Sequence, residues 1–160
     1  MGTVVVQVSD RKWTTQAVHF ACAMARNTQS RLVLLHLIPA RSAYLLGTDL
    51  GNKLPTKPEL DAIGDYQLIA EEYGLEITLQ RMQYESFGDA LVQAAELTHP
   101  SVLFANVPGN IFPFWRRIEL WNLRHQLSAM NCRLYTLDEA EQEQDWLPAV
   151  SLTPSEVRTR

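Results

Sequence analysis

Two basic clusters in this chain have the residue types to hold an anion: Asp10-Arg11-Lys12 in one segment and Arg116-Arg117 in another. Cationic side chains beside a helix N-terminus grip phosphate through charge-assisted hydrogen bonds and the positive end of the helix dipole. The plainer reading is a solvated turn and a solvated first helical turn, and it is favoured because surface arginine pairs are common. His19, His36, His99 and His125 fall on different segments, with no His-x3-His or Cys-x2-Cys spacing, so no metal site is expected. His36 sits in an apolar run and reads as a satisfied core histidine. Cys22 and Cys132 read as small core residues rather than reactive thiols. Glu71 and Glu72 are adjacent on a predicted helix and point apart, so they form no acid–base dyad. Gly-x-Ser-x-Gly, Walker A and dinucleotide fingerprints are absent. No enzyme and no cofactor are expected.

The elements that position these residues follow from the apolar pattern. Val4-Val5-Val6-Gln7-Val8 and Leu32-Val33-Leu34-Leu35-His36-Leu37 are nearly continuous apolar runs, as in parallel strands covered on both faces. Between them Ala17, Phe20, Ala21 and Met24 recur at helical spacing, which predicts a βαβ unit. Residues 39–57 carry Pro39, Gly47, Gly51 and Pro55 and read as a long loop. Thr56-Lys57-Pro58-Glu59 resembles a capping box opening a second helix, with Ile63, Tyr66, Ile69 and Tyr73 as its stripe and Gly74 as its end. Leu75-Glu76-Ile77-Thr78-Leu79-Gln80 alternates strictly, so one face is wetter and the strand belongs at a sheet edge. Ser86 caps a third predicted helix that stops at His99-Pro100. Val102 to Ala105 is a fourth strand. A fourth helix carries Leu120, Leu123, Leu127 and Met130 on one face, and Arg133 to Leu137 is a fifth strand. The alternation implies an open, doubly wound parallel sheet with helices on both faces.

At 160 residues and 46% hydrophobic content the chain is one globular domain, residues 1–137, followed by a stretch 138–160 of different character. That stretch holds six acids (Asp138, Glu139, Glu141, Glu143, Asp145, Glu156) against Arg158 and Arg160, and is expected to be flexible. Removing it from the totals of 18 acids and 14 bases leaves twelve of each, so the net charge of -4 lies entirely in 138–160. A neutral body gives no general pull towards nucleic acid. No apolar run approaches the roughly 20 residues of a membrane span. Residues 1–8 read as a strand rather than a secretory signal, and two distant cysteines do not make a disulfide framework, so a cytoplasmic location is expected.

Val4-Val5-Val6-Gln7-Val8-Ser9-Asp10, Arg31 to Pro39 with its closing proline, and Asn131-Cys132-Arg133-Leu134 together resemble the first, second and fifth strands of the universal stress protein family. The resemblance covers roughly residues 3–137 and implies five parallel strands in the order 3-2-1-4-5. It places a ligand crevice where strand order reverses, between Ser9 to Lys12 and Asn106 to Phe114. Nucleotide-binding members of that family carry an aspartate after the first strand and Gly-x2-Gly-x9-Gly-Ser/Thr after the fourth. In this chain Ser9 stands at the aspartate position with Asp10 displaced by one. Asn106 replaces the first glycine, Gly109 matches the second, and Glu119-Leu120 falls at the Gly-Ser position. No glycine follows Gly109, and a phosphate cradle needs glycines so that backbone N–H groups can approach the oxygens.

The expectation is therefore a universal-stress-type protein that does not bind ATP and acts in stress response or regulation by contacting another protein. Ser9, Asp10, Asn106, Gly109 and Arg116 mark the remnant of the crevice. Ile111-Phe112-Pro113-Phe114-Trp115, with Trp121 beyond, is expected to pack on itself and plug that crevice, and otherwise to form a partner surface or a lid over an apolar ligand. The resemblance also implies a homodimer through the fifth strand, with Leu134, Tyr135 and Leu137 at the interface. The alternative is a module for a small molecule or an atypically held nucleotide in the crevice between strands 1 and 4. A third possibility is a regulatory partner of a transporter or sensor kinase, since domains of this family also occur fused to such proteins.

Overall fold

The apolar runs become the middle of a parallel sheet. The structure, a computed structural model, describes residues 2–40, 55–108 and 113–137. Gly109, Ile111, Phe112, the centre of the 39–57 segment and the acidic stretch 138–160 lie outside them. Among the described residues five strands, β1 (Thr3–Gln7), β2 (Arg31–Pro39), β3 (Ile77–Tyr84), β4 (Val102–Phe104) and β5 (Arg133–Tyr135), alternate with four helices. The helices are α1 (Arg11–Thr28), α2 (Lys57–Glu72), α3 (Phe87–Thr98) and α4 (Pro113–Ala129). The strands pair in parallel in the order β3-β2-β1-β4-β5, as the resemblance implies.

Register explains why the central strands are apolar on both faces. Val33, Val5, Leu103 and Leu134 are aligned across the sheet and pack beneath α3 and α4 with Leu91, Leu123 and Leu127. The next row, Leu34, Val6, Phe104 and Tyr135, faces α1 and α2, where Ala17, Ala21, Tyr66 and Ala70 meet it. Alanines on α1 let that helix lie close to the sheet. Each fully buried valine or leucine contributes about 1.5–3 kcal/mol, so these two layers hold the fold.

The four described helices are each closed by a residue in the left-handed region: Gln29 (φ 53°), Gly74 (φ 73°), His99 (φ 45°) and Asn131 (φ 56°). At Gly74 the closure is a Schellman-type pair, with Gly74 N–H donating to Glu71 O (2.9 Å) and Leu75 N–H to Ala70 O (2.9 Å). That closure uses Leu75, so β3 begins at Ile77 rather than at Leu75. The strand also runs on past Gln80, pairing with β2 as far as Pro39–Tyr84. The apolar phase switches inside it: Ile77 faces the α2 layer, whereas Met82 and Tyr84 pack on the α3 layer. An alternation that changes phase looks like an end, yet the backbone ladder is continuous.

Candidate functional site

The point where strand order reverses lies between the C-terminal ends of β1 and β4. β1 ends in Gln7-Val8-Ser9, and Asp10 caps α1, its carboxylate accepting from Trp13 N–H (3.0 Å). Ser9 N–H donates to Thr14 Oγ1 (2.9 Å), which locks the turn onto the first helical turn. From the other side, Asn106 follows β4 and reaches across. Its backbone N–H donates to Gln7 Oε1 (3.0 Å), and its side-chain amide donates to Ser9 Oγ (3.0 Å) and Asp10 Oδ2 (3.4 Å). Three of the expected crevice residues, Ser9, Asp10 and Asn106, are thus brought together, tied to one another. The α1 N-terminus, the natural place for a phosphate, is capped by a carboxylate.

Arg116 is described in a groove on α4. With Arg117 it lines that groove, between α4 and the segment leaving β5, beside Thr136 and Trp121. Arg11 turns the other way and ion-pairs with Asp65 of α2, both side chains well exposed, which makes the pair worth little. Of the basic residues expected to frame an anion, Arg11 is thus engaged with α2, and Arg116 and Arg117 line the groove beside β5. Gly109 lies outside the described residues.

A small cavity opens beside the crevice, at the C-terminal ends of β1 and β2. Val8, Ser9, Arg11, His36, Glu59 and Tyr66 are among its walls, and its volume is about 240 Å³. His36 Nε2 stands 3.8 Å from Glu59 Oε1. Burial holds the imidazole below its ordinary pKa; Glu59 opposes that shift and Arg81 adds to it. Glu59 is held below the usual carboxylate range chiefly because its Oε2 accepts from Thr56 N–H (2.6 Å) and Thr56 Oγ1 (2.9 Å). The capping box is real, and its carboxylate also faces the histidine. His36 is accordingly a half-buried cavity residue rather than a satisfied core histidine, because it lies near the strand end where the covering helix gives way. Cys22 and Cys132 are buried, and burial pushes both thiols up to about 11. Among the described residues no group of three or more His, Cys, Asp or Glu could hold a metal ion.

Of the aromatic segment expected to plug the crevice, Ile111 and Phe112 lie outside the described residues, and the described part faces outwards. Phe114, Trp115, Ile118 and Trp121 are 67%, 57%, 43% and 68% exposed, although they belong to a regular helix. Trp121 stacks on His125 (5.8 Å between centroids, 7° between planes), and Phe114 meets Trp115 edge-on (6.4 Å). α4 already buries Leu123 and Leu127 in the core, and those positions lie on the opposite side of the helix, so the aromatic stripe is left facing out. Two apolar stripes half a turn apart were the signal in the sequence.

β5 is a sheet edge. Leu134 and Leu137 are buried in the protomer's own two core layers. Tyr135 is half-buried and stacks on Phe104 (5.6 Å, 24°), its hydroxyl accepting from Arg133 Nη1 (3.2 Å). The two leucines are committed inside and cannot also supply an apolar contact to a second copy. What the edge offers outwards is backbone, together with Arg133 and Tyr135.

No family model matches this sequence, and no curated protein does. Solved structures do match. A protein from the universal stress protein family of Burkholderia pseudomallei is 14% identical, with a TM-score of 0.56 over 84% of this chain and 94% of that one. A universal stress protein in complex with cAMP is 16% identical, with a TM-score of 0.55 over the same shares of the two chains. A universal stress protein from Archaeoglobus fulgidus is 14% identical, with a TM-score of 0.54 over 85% of this chain and 93% of that one. The chain therefore has the universal stress protein fold.

Proposed function

We propose that this chain, built on the universal stress protein fold, is a cytoplasmic protein of stress response or regulation that works through protein–protein contacts rather than by binding ATP or by catalysis. The observation that carries this reading is the outward aromatic stripe of α4, since a cluster of exposed Phe, Trp and Ile on a regular helix is the usual mark of a contact surface. The crevice supports the other half. Asn106, which joins Ser9 and Asp10, stands where a nucleotide-binding member of the family keeps the first glycine of its cradle. Pairing of two copies through the open edge of β5 completes the proposal. Among the described residues no helix is long and apolar enough to cross a membrane.

Native mass spectrometry of the full chain tests it. A dimer mass without adduct, unchanged by millimolar ATP and magnesium, is the expected result; a retained nucleotide or a monomer refutes the corresponding part.

One observation favours a second reading, a small-molecule module. The cavity between His36 and Glu59 sits at the sheet's C-terminal edge, and one structural neighbour is solved with cAMP. Its volume of about 240 Å³ lies below the roughly 300–1,000 Å³ of typical ligand pockets. A rise in melting temperature with cAMP or AMP would promote this reading.

A further inference from the structure

We propose that the outer face of α4 is a self-association surface, on which a second copy of this chain seats its own α4. This rests on the reading that the chain acts through protein contacts, and it adds to the open edge of β5 a separate face with its own occupant. At 100° per residue Phe114, Ile118, Trp121 and His125 fall within roughly 60° of one another. They lie about half a turn from Leu123 and Leu127, which are committed to the core. Their spacing of four, three and four residues is the a/d repeat of a two-helix seam, sustained here over roughly 17 Å of helix. The seam points away from the sheet, whereas the edge of β5 opens in the plane of the sheet, so the two surfaces do not compete.

Two features make a second copy of this chain the occupant. The first is self-complementarity. With the two helices antiparallel, Ile118 of each copy faces Trp121 of the other, and Phe114 faces His125. Each layer sets a smaller side chain against a larger one, as facing helices need in order to interdigitate, and the twofold axis repeats each layer. A helix of unrelated sequence would have to supply that match; this chain already holds it. The second feature is area. Phe114, Trp115 and Trp121, at roughly 150–250 Å² each and more than half exposed, give with Ile118 an apolar patch on the order of 400 Å². Two patches face to face bury on the order of 800 Å², and the flanking Asn122 and Gln126 bring the contact to about 1,000 Å², the lower limit for a specific interface. That size fits a reversible pair at micromolar concentration rather than a permanent dimer. Arg117 and Arg124 flank the seam on one side, at its rim, where charges on two copies are screened by solvent and salt.

The test is sedimentation velocity of the full-length protein over a range of concentrations, with Ile118→Glu and Trp121→Glu run beside the unaltered chain. The unaltered chain should show a concentration-dependent doubling of mass, from monomer to dimer or, where the edge of β5 is also paired, from dimer to tetramer. Each variant should weaken that step at least tenfold; both positions are exposed, and unchanged circular dichroism would show the variants folded. Leu68→Glu, at an equally exposed apolar position on α2, should leave the step unchanged. Added salt should not loosen the pair, because its contact is apolar. Association of equal strength in both α4 variants, dissociation by salt, or no doubling of mass up to about 1 mM overturns the proposal. A dimer that persists in both variants removes only the α4 surface and leaves pairing at β5 standing. Nucleotide retention in the mass spectrum would instead sink the parent reading, whatever the association does.

Discussion

Replacing Asn106 by aspartate isolates the contact that closes the crevice. The change is isosteric, and the Ser9 hydroxyl can rotate to donate to the new carboxylate, so that bond of 3.0 Å survives. The contact with Asp10 does not: an amide donor 3.4 Å from Oδ2 becomes a second negative oxygen. Two unit charges about 4 Å apart repel by roughly 1 kcal/mol in water and about 4 kcal/mol at an effective dielectric constant of about 20. Asp10 is exposed, so the expected loss is at the lower end, about 1–2 kcal/mol. In urea denaturation this moves the midpoint down by roughly 0.5–1 M at an ordinary slope. The control is Asn106→Asp in an Asp10→Asn background, where the same change should fall within a few tenths of a kcal/mol of neutral. Equal destabilisation in both backgrounds would mean that Asn106 acts through packing or through Gln7, and that the link to Asp10 contributes nothing.

Three further outcomes follow from the packing and the titrating groups. His36 is held below its ordinary pKa by burial, so the unfolded chain takes up a proton first. Stability is complete above about pH 6.5 and falls as the pH drops through that value towards the folded pKa. His36→Gln should flatten the difference in melting temperature between pH 7 and pH 5, and an unchanged difference would assign it elsewhere. Leu134→Asp should unfold the protomer, at a loss of 3 kcal/mol or more as judged by far-UV circular dichroism, rather than yield a folded monomer; a folded, monomeric product would return Leu134 to the interface. Gln29 closes α1 at φ 53°, so Gln29→Gly should stabilise by about 1 kcal/mol and raise the melting temperature by roughly 2–4 °C. A lowered midpoint would show that the side chain is needed there.

The sheet was legible because its signals are local. Unbroken apolar runs marked β1 and β2 as central, and the alternation in Leu75 to Gln80 marked β3 as an edge. The end of β3 was not legible, because the apolar phase changes between Leu79 and Met82 while the pairing with β2 continues. The crevice was located by topology, but the role of Asn106 depends on β1, the α1 cap and β4 converging from positions almost a hundred residues apart. No window of sequence holds all three. The stripe of Leu120, Leu123 and Leu127 was read as core correctly. The stripe of Phe114, Ile118 and Trp121 is just as helical in its spacing, and only the place of the sheet decides which of the two faces inward. His36 was misjudged for a related reason, since an apolar run says that a strand is covered without saying how far the cover extends.

The edge strand has a consequence for anyone mapping contacts by mutation. Arg133 N–H donates to Ser101 O, and Ala105 N–H donates to Tyr135 O, so those two residues of β5 turn their backbone polar groups towards β4. In a parallel ladder the residue between them, Leu134, then turns its own N–H and C=O to the open side, while its side chain stays in the core. Any chain that adds to this edge would be held at Leu134 by groups that every amino acid except proline possesses. Alanine scanning of β5 would register lost core packing at Leu134 and leave such a main-chain contact unseen. Which chain is accepted there would be decided by Arg133, Tyr135 and the neighbouring helix, and not by the residue that makes the bond.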